Sequence, residues 1–111
     1  MRKLLYSIKN VPFYENTEDA FSLEYSVVDG NPRGDGNDTK RYGIEVARYR
    51  EFDGILYSET KMLENISSHK RSAMRLVKLI SENSVTPLVL EETVNEMKND
   101  EKFRDIFDET A

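Results

Sequence analysis

Acid–base or metal chemistry in this chain would have to start from His69, its only histidine. His69 stands beside Lys70 and Arg71, with no cysteine, second histidine or paired carboxylate near it. Nothing around it follows the H-E-x-x-H pattern of a zinc site. A Ser-His-Asp hydrolase would also need a G-x-S-x-G nucleophile elbow, which is absent. His69 is therefore read as a surface or capping residue rather than a general base. Carboxylates adjoin at Glu91-Glu92, Asp100-Glu101 and Asp108-Glu109. Neighbours on a helix point in different directions, so these pairs read as solvated charge and not as an acid and its base.

The other oxygen-rich stretch runs from Asp29 to Thr39 and holds three of the five glycines and no apolar side chain. Its Asp29, Asn31, Asp35, Asn37 and Asp38 suggest calcium, but Arg33 falls where an EF-hand places an oxygen ligand and no Glu closes the loop. Arg33-Gly34-Asp35 matches an adhesive tripeptide and is read as a turn. The glycines lack the G-x-x-x-x-G-K-[ST] order that cradles phosphate. No catalytic residue, metal or cofactor is expected.

Charge is the informative feature. The net charge is −5, distributed as −3 over residues 1–60, +3 over 61–85 and −5 over 86–111. Overall acidity argues against general binding to phosphate backbones, which needs clustered Lys and Arg. Such a cluster exists in one place. Lys70, Arg71, Arg75 and Lys78 recur at helical spacing beside Ala73, Leu76, Val77 and Ile80, so one helix should carry both a core stripe and a basic ridge. Arg48 and Arg50, with Tyr49 between them, would extend that ridge with a stacking ring and two further cations. The opposite sign collects on Glu91, Glu92, Glu96, Asp100, Glu101, Asp105 and Asp108.

The elements that must position these groups follow from periodicity. With 111 residues, 38% of them apolar and 33% charged, the chain has room for one domain with one core. Leu4, Tyr6 and Ile8 alternate with Leu5, Ser7 and Lys9 as a first strand ended by Val11-Pro12. Phe21, Leu23, Tyr25 and Val27 give a second, half-buried strand. After an exposed loop over 29–40, Tyr42, Ile44 and Val46 mark a third strand. Asp53-Gly54 then turns the chain back through 54–62. Ser67 or Ser68 should cap a helix over 67–83, with Asn83 closing it in a left-handed conformation. Thr86-Pro87 starts a second helix that buries Leu90, Val94 and Met97, and Asp100 caps a short last turn with Phe103, Ile106 and Phe107 inward. Strands first and helices after imply an α+β fold: three or four antiparallel strands, two main C-terminal helices on one face and a short terminal helix.

The order of a Tyr42-Gly-Ile-Glu-Val46 strand, a returning strand, a Ser/Ser-capped helix and Val85-Thr86-Pro87 resembles a family of short uncharacterised proteins from spore-forming Firmicutes. The resemblance covers roughly residues 40–98. It implies a small bacterial cytosolic protein and no assigned activity. The loop at 30–39 and the acidic end after Asp100 depart from it.

The absence of cysteine removes disulfides, thiolate chemistry and sulfur-bound metals, and points to the cytoplasm, because small secreted domains normally rely on such staples. The apolar run at Leu4–Tyr6 is too short for a signal segment or a membrane span. These features imply a non-catalytic interaction or regulatory protein acting through the helical layer or an open sheet edge. Two alternatives stand beside it: a phage inhibitor of a bacterial defence nuclease, of the anti-CRISPR kind, working through its acidic surface, and a nucleic-acid-binding regulator working through the basic helix. The sequence leaves monomer and homodimer both open.

Overall fold

The computed structural model describes residues 2–11, 21–30 and 41–107. Four strands, β1 (Arg2–Val11), β2 (Phe21–Asp29), β3 (Tyr42–Phe52) and β4 (Ile55–Ser67), form one antiparallel sheet in chain order. The helices follow: α1 (Lys70–Glu82), α2 (Leu90–Lys98) and the short α3 (Arg104–Phe107), with 3-10 turns at Pro87–Val89 and Glu101–Phe103. This is the expected α+β arrangement, at the four-strand end of its range. The segment after Pro12, the greater part of the 29–40 loop with its Arg33-Gly34-Asp35, and Asp108-Glu109 lie outside the described residues.

The core lies between one face of the sheet and the helices. Leu23, Tyr25 and Val27 of β2 and Ile44 and Val46 of β3 pack with Ala73, Leu76, Val77 and Ile80 of α1, Leu90, Val94 and Met97 of α2, and Ile106 of α3. Both helical stripes are thus as periodicity predicts, and Leu23, Tyr25 and Val27 face the core as expected, but Ser26 and Val28 on the other face of β2 are buried too, so this strand is more than half-buried. Burying each large apolar side chain of this set contributes about 1.5–3 kcal/mol.

The β3–β4 hairpin closes with Phe52 opposite Ile55. Asp53 and Gly54 both have positive φ, 55° and 78°. Two such residues make the turn whose twist suits antiparallel strands.

Bulges change the expected faces. Leu5 pairs with Ser26 but Ser7 pairs with Tyr25, so Tyr6 is an extra residue. Leu4, Tyr6 and Ile8 therefore do not share a face. Leu4, Ser7 and Lys9 stand opposite Val27, Tyr25 and Leu23 on the helix side, whereas Ile8 stands opposite Glu24 on the other. The polar pair finds helix partners: Ser7 Oγ lies 2.7 Å from Ser81 Oγ, and Lys9 Nζ donates to the Ser81 carbonyl oxygen at 2.8 Å.

A second bulge lengthens β4 to Ser67, five residues past the expected end. Tyr42 faces Ser67 and Ile44 faces Leu63, leaving Glu64, Asn65 and Ile66 opposite Gly43 alone. A Cβ on Gly43 would lie 2.1 Å from the Leu63 carbonyl oxygen, so only glycine fits beneath this crossing.

Candidate functional site

The basic helix begins later than its serines suggest. Ser67 is the last residue of β4; its hydroxyl accepts from the His69 N–H and donates to the His69 carbonyl oxygen, both at 3.0 Å. It braces the strand-to-helix corner while His69, extended at φ −113° and ψ 124°, occupies the cap position without a side-chain cap bond. The helix end also differs from expectation. Asn83 has φ −96°, and it is Ser84, at φ 51°, that is left-handed. The Val85 N–H reaches the Ile80 carbonyl oxygen and the Ser84 N–H that of Ser81, both at 3.1 Å, which is the Schellman pairing. Val85 enters the core beside Ile80, and its carbonyl oxygen accepts from the buried Tyr25 hydroxyl at 3.0 Å. Both ends of α1 are therefore held to the sheet.

This fixes which side of α1 meets water. Ala73, Leu76, Val77, Ile80 and Ser81 are buried, and Lys70, Arg71, Arg75 and Lys78 are exposed. Arg71, Arg75 and Lys78 at i, i+4 and i+7 form one line opposite the core. Glu82 closes that line, four residues after Lys78. None of the four cations has an ion pair among the described residues; the salt bridges run instead from Lys3 to Glu45, Arg41 to Asp29, Arg48 to Glu59 and Lys61 to Glu91. Lys70 sits off the line, on a cavity of about 170 Å³ that it lines with Lys3, Leu4, Val27, Asp29 and Tyr42.

Arg48 and Arg50 do not offer the stacking arrangement expected of them. Strand alternation turns both away from Tyr49, to the helix-side face. The rings beside them are Phe21, under Arg48 at 5.5 Å, and Tyr57, under Arg50 at 5.7 Å. Arg48 is further engaged by the carboxylate of Glu59, its partner across the hairpin. Arg50 is exposed and carries no ion pair among the described residues.

The acidic residues divide. Glu91, Glu92 and Glu96, with Leu88, Asn95 and Asn99, line a shallow depression on the outer side of α2. Glu91 is bridged by Lys61 at 3.1 Å. Asp100 accepts from the Lys102 N–H at 3.0 Å and so caps the last turn, as expected. Glu101 and Asp105 are exposed, and Asp108 lies outside the described residues. Leu88, 84% exposed at the N-terminal end of this acidic face, was not singled out from the sequence. Its signal was present, since it falls outside the Leu90, Val94, Met97 stripe and four residues before Glu92.

Electrostatics at the sheet is settled internally. Lys3 on β1 reaches across β2 to Glu45 on β3 at 2.9 Å, and that hydrogen bond raises the lysine pKa. Arg41 grips Asp29 with two bonds of 2.5 and 2.8 Å, which raises the arginine pKa. Burial pushes the Tyr25 hydroxyl up to about 12. His69 is exposed. No group of three His, Cys, Asp or Glu among the described residues could hold a metal ion, and no helix among them is long and apolar enough to cross a membrane.

The fold and its surface define a small α+β protein whose prominent feature is a helix with a basic ridge that has no ion pair among the described residues. The chain belongs to a family of unknown function, DUF6514, whose model matches residues 4–100. No curated protein and no solved structure matches the chain.

Proposed function

We propose that this is a small, non-catalytic bacterial or phage protein of the cytoplasm that works by docking α1 onto an acidic protein surface. The observation that carries the reading is the line Arg71, Arg75, Lys78: exposed, and without an ion pair among the described residues. On a chain of net charge −5, in which Lys3, Arg41, Arg48 and Lys61 meet acids of the chain itself, this cluster makes no ion pair among the described residues. A single exposed ion pair contributes only about 0–1 kcal/mol, so affinity would come from several pairs formed together. A regulatory role would follow from what the partner does once the helix is covered. Origin in spore-forming Firmicutes belongs to the same proposal and rests on the strand–strand–helix–Thr-Pro order.

The outer side of α2 favours a second reading. Glu91, Glu92 and Glu96 around the exposed Leu88 could occupy the nucleic-acid channel of a defence nuclease. Charge-reversing each helix separately decides between them. Loss of partner binding in Arg71→Glu/Arg75→Glu supports the first reading, and loss confined to Glu92→Arg/Glu96→Arg supports the second. Binding that requires intact nucleic acid would point instead to a nucleic-acid-binding regulator, with steep salt dependence.

A further inference from the structure

From the two unspent helix faces we infer that the occupant of the basic ridge is the acidic face of α2 on a second copy of this chain. The inference rests on the reading of α1 as a docking helix and names its partner.

The argument is charge complementarity at matched spacing. Arg71 and Arg75 are four residues apart on the outer side of α1, and Glu92 and Glu96 are four residues apart on the outer side of α2. Each pair therefore repeats at about 6 Å along its helix, one turn apart. Two helices laid side by side can match Arg to Glu turn by turn, in the bidentate geometry that guanidinium and carboxylate favour.

The two faces do not satisfy each other within one molecule. Arg71, Arg75 and Lys78 make no ion pair among the described residues, and the acid of α2 that is paired, Glu91, is held by Lys61 of β4. α1 and α2 both pack on the same side of the sheet, so a two-fold axis running between them sets α1 over the partner's α2 and α2 over the partner's α1. Every pair is then made twice, as a two-fold contact requires. Leu88, 84% exposed and one turn before Glu92, would be covered by the arginine stems of the facing helix. The repulsion between two chains of net charge −5 is spread over the surface and screened beyond about 10 Å at 0.1 M salt, whereas the matched faces meet within that distance.

The β1 edge is a poorer route to the same dimer. Lys3 and Lys9 on this strand, and the bulge at Tyr6, are features that keep edge strands from pairing.

Sedimentation velocity on the full chain tests the inference, at ~0.05 M and ~0.5 M salt, across which the screening length falls to about a third. The expected result is a dimer at low salt that dissociates at high salt. Arg71→Glu/Arg75→Glu and Glu92→Arg/Glu96→Arg should each be monomeric with unchanged circular dichroism, and an equimolar mixture of the two should regain the dimer. The swaps leave net charges of −9 and −1, so general attraction between unlike chains cannot produce that recovery. A wild-type monomer at low salt overturns the inference, as does a dimer that survives in both variants. A wild-type monomer whose ridge still captures another acidic protein would overturn the inference alone and leave the docking reading standing.

Discussion

The hydroxyl of Tyr25, in the second strand of the sheet, donates at 3.0 Å to the carbonyl oxygen of Val85, sixty residues further on, in the buried core. Val85 is also the residue whose N–H closes the end of α1 onto Ile80. One contact therefore ties the sheet to the exit of the basic helix and fixes how far that helix stands from β2.

Tyr25 sets an alkaline limit on stability. Its folded pKa, about 12, lies above the ordinary tyrosine value of 10.0 because burial penalises the phenolate. The stabilisation is therefore fully present below pH 10 and is lost as pH rises from 10 towards 12. Two units correspond to about 3 kcal/mol, at 1.36 kcal/mol per unit. Tyr25→Phe should flatten that alkaline fall. Near neutrality it should cost about 1–2 kcal/mol, because the Val85 carbonyl oxygen loses its tyrosine donor inside the core. Urea melts of both chains at pH 7 and between pH 9 and 11.5 check both statements.

Gly43 and Gly54 should respond differently to alanine. At Gly43 the added Cβ would lie 2.1 Å from a backbone oxygen, and the bulge beneath it cannot yield without moving β4. A loss of more than ~3 kcal/mol is expected. Gly54 has open space around it and only its φ of 78° to resist the change, so about 1 kcal/mol is expected. Thermal melts of Gly43→Ala and Gly54→Ala give the comparison.

Ser84 holds a left-handed conformation, φ 51°, where glycine is at ease. Ser84→Gly should raise stability by up to ~1 kcal/mol despite the loss of its exposed hydrogen bond from Lys9. Chemical denaturation would show this as a higher midpoint at unchanged slope.

The sequence is legible where one period governs a whole element. The 3.6-residue stripe placed Ala73, Leu76, Val77 and Ile80 in the core, the two-residue period did the same for Leu23, Tyr25 and Val27, and Asp53-Gly54 marked its hairpin through a backbone requirement of its own. What stayed hidden were the insertions. A count of alternate residues cannot see that Tyr6 is an extra residue, so it misassigns every side chain beyond it. The crossing above Gly43 carried β4 through Ser67, turning an expected helix cap into a strand end. Partners in space were equally hidden: Glu59 claims Arg48 through hairpin register, and Tyr49 turns away from the two arginines that flank it. The exposed basic line of α1 was readable because charge and apolar stripe share one helix.

Whether that line is a docking surface is tested most directly by capture. Tagged wild-type and Arg71→Glu/Arg75→Glu chains would be passed over bacterial lysate with and without nuclease, and the bound proteins identified by mass spectrometry and re-bound in purified form. The account predicts an acidic protein, an untagged copy of the chain included, that binds the wild type directly, is lost with the variant and is indifferent to nuclease. Equal recovery by both chains, or recovery abolished by nuclease, would contradict it.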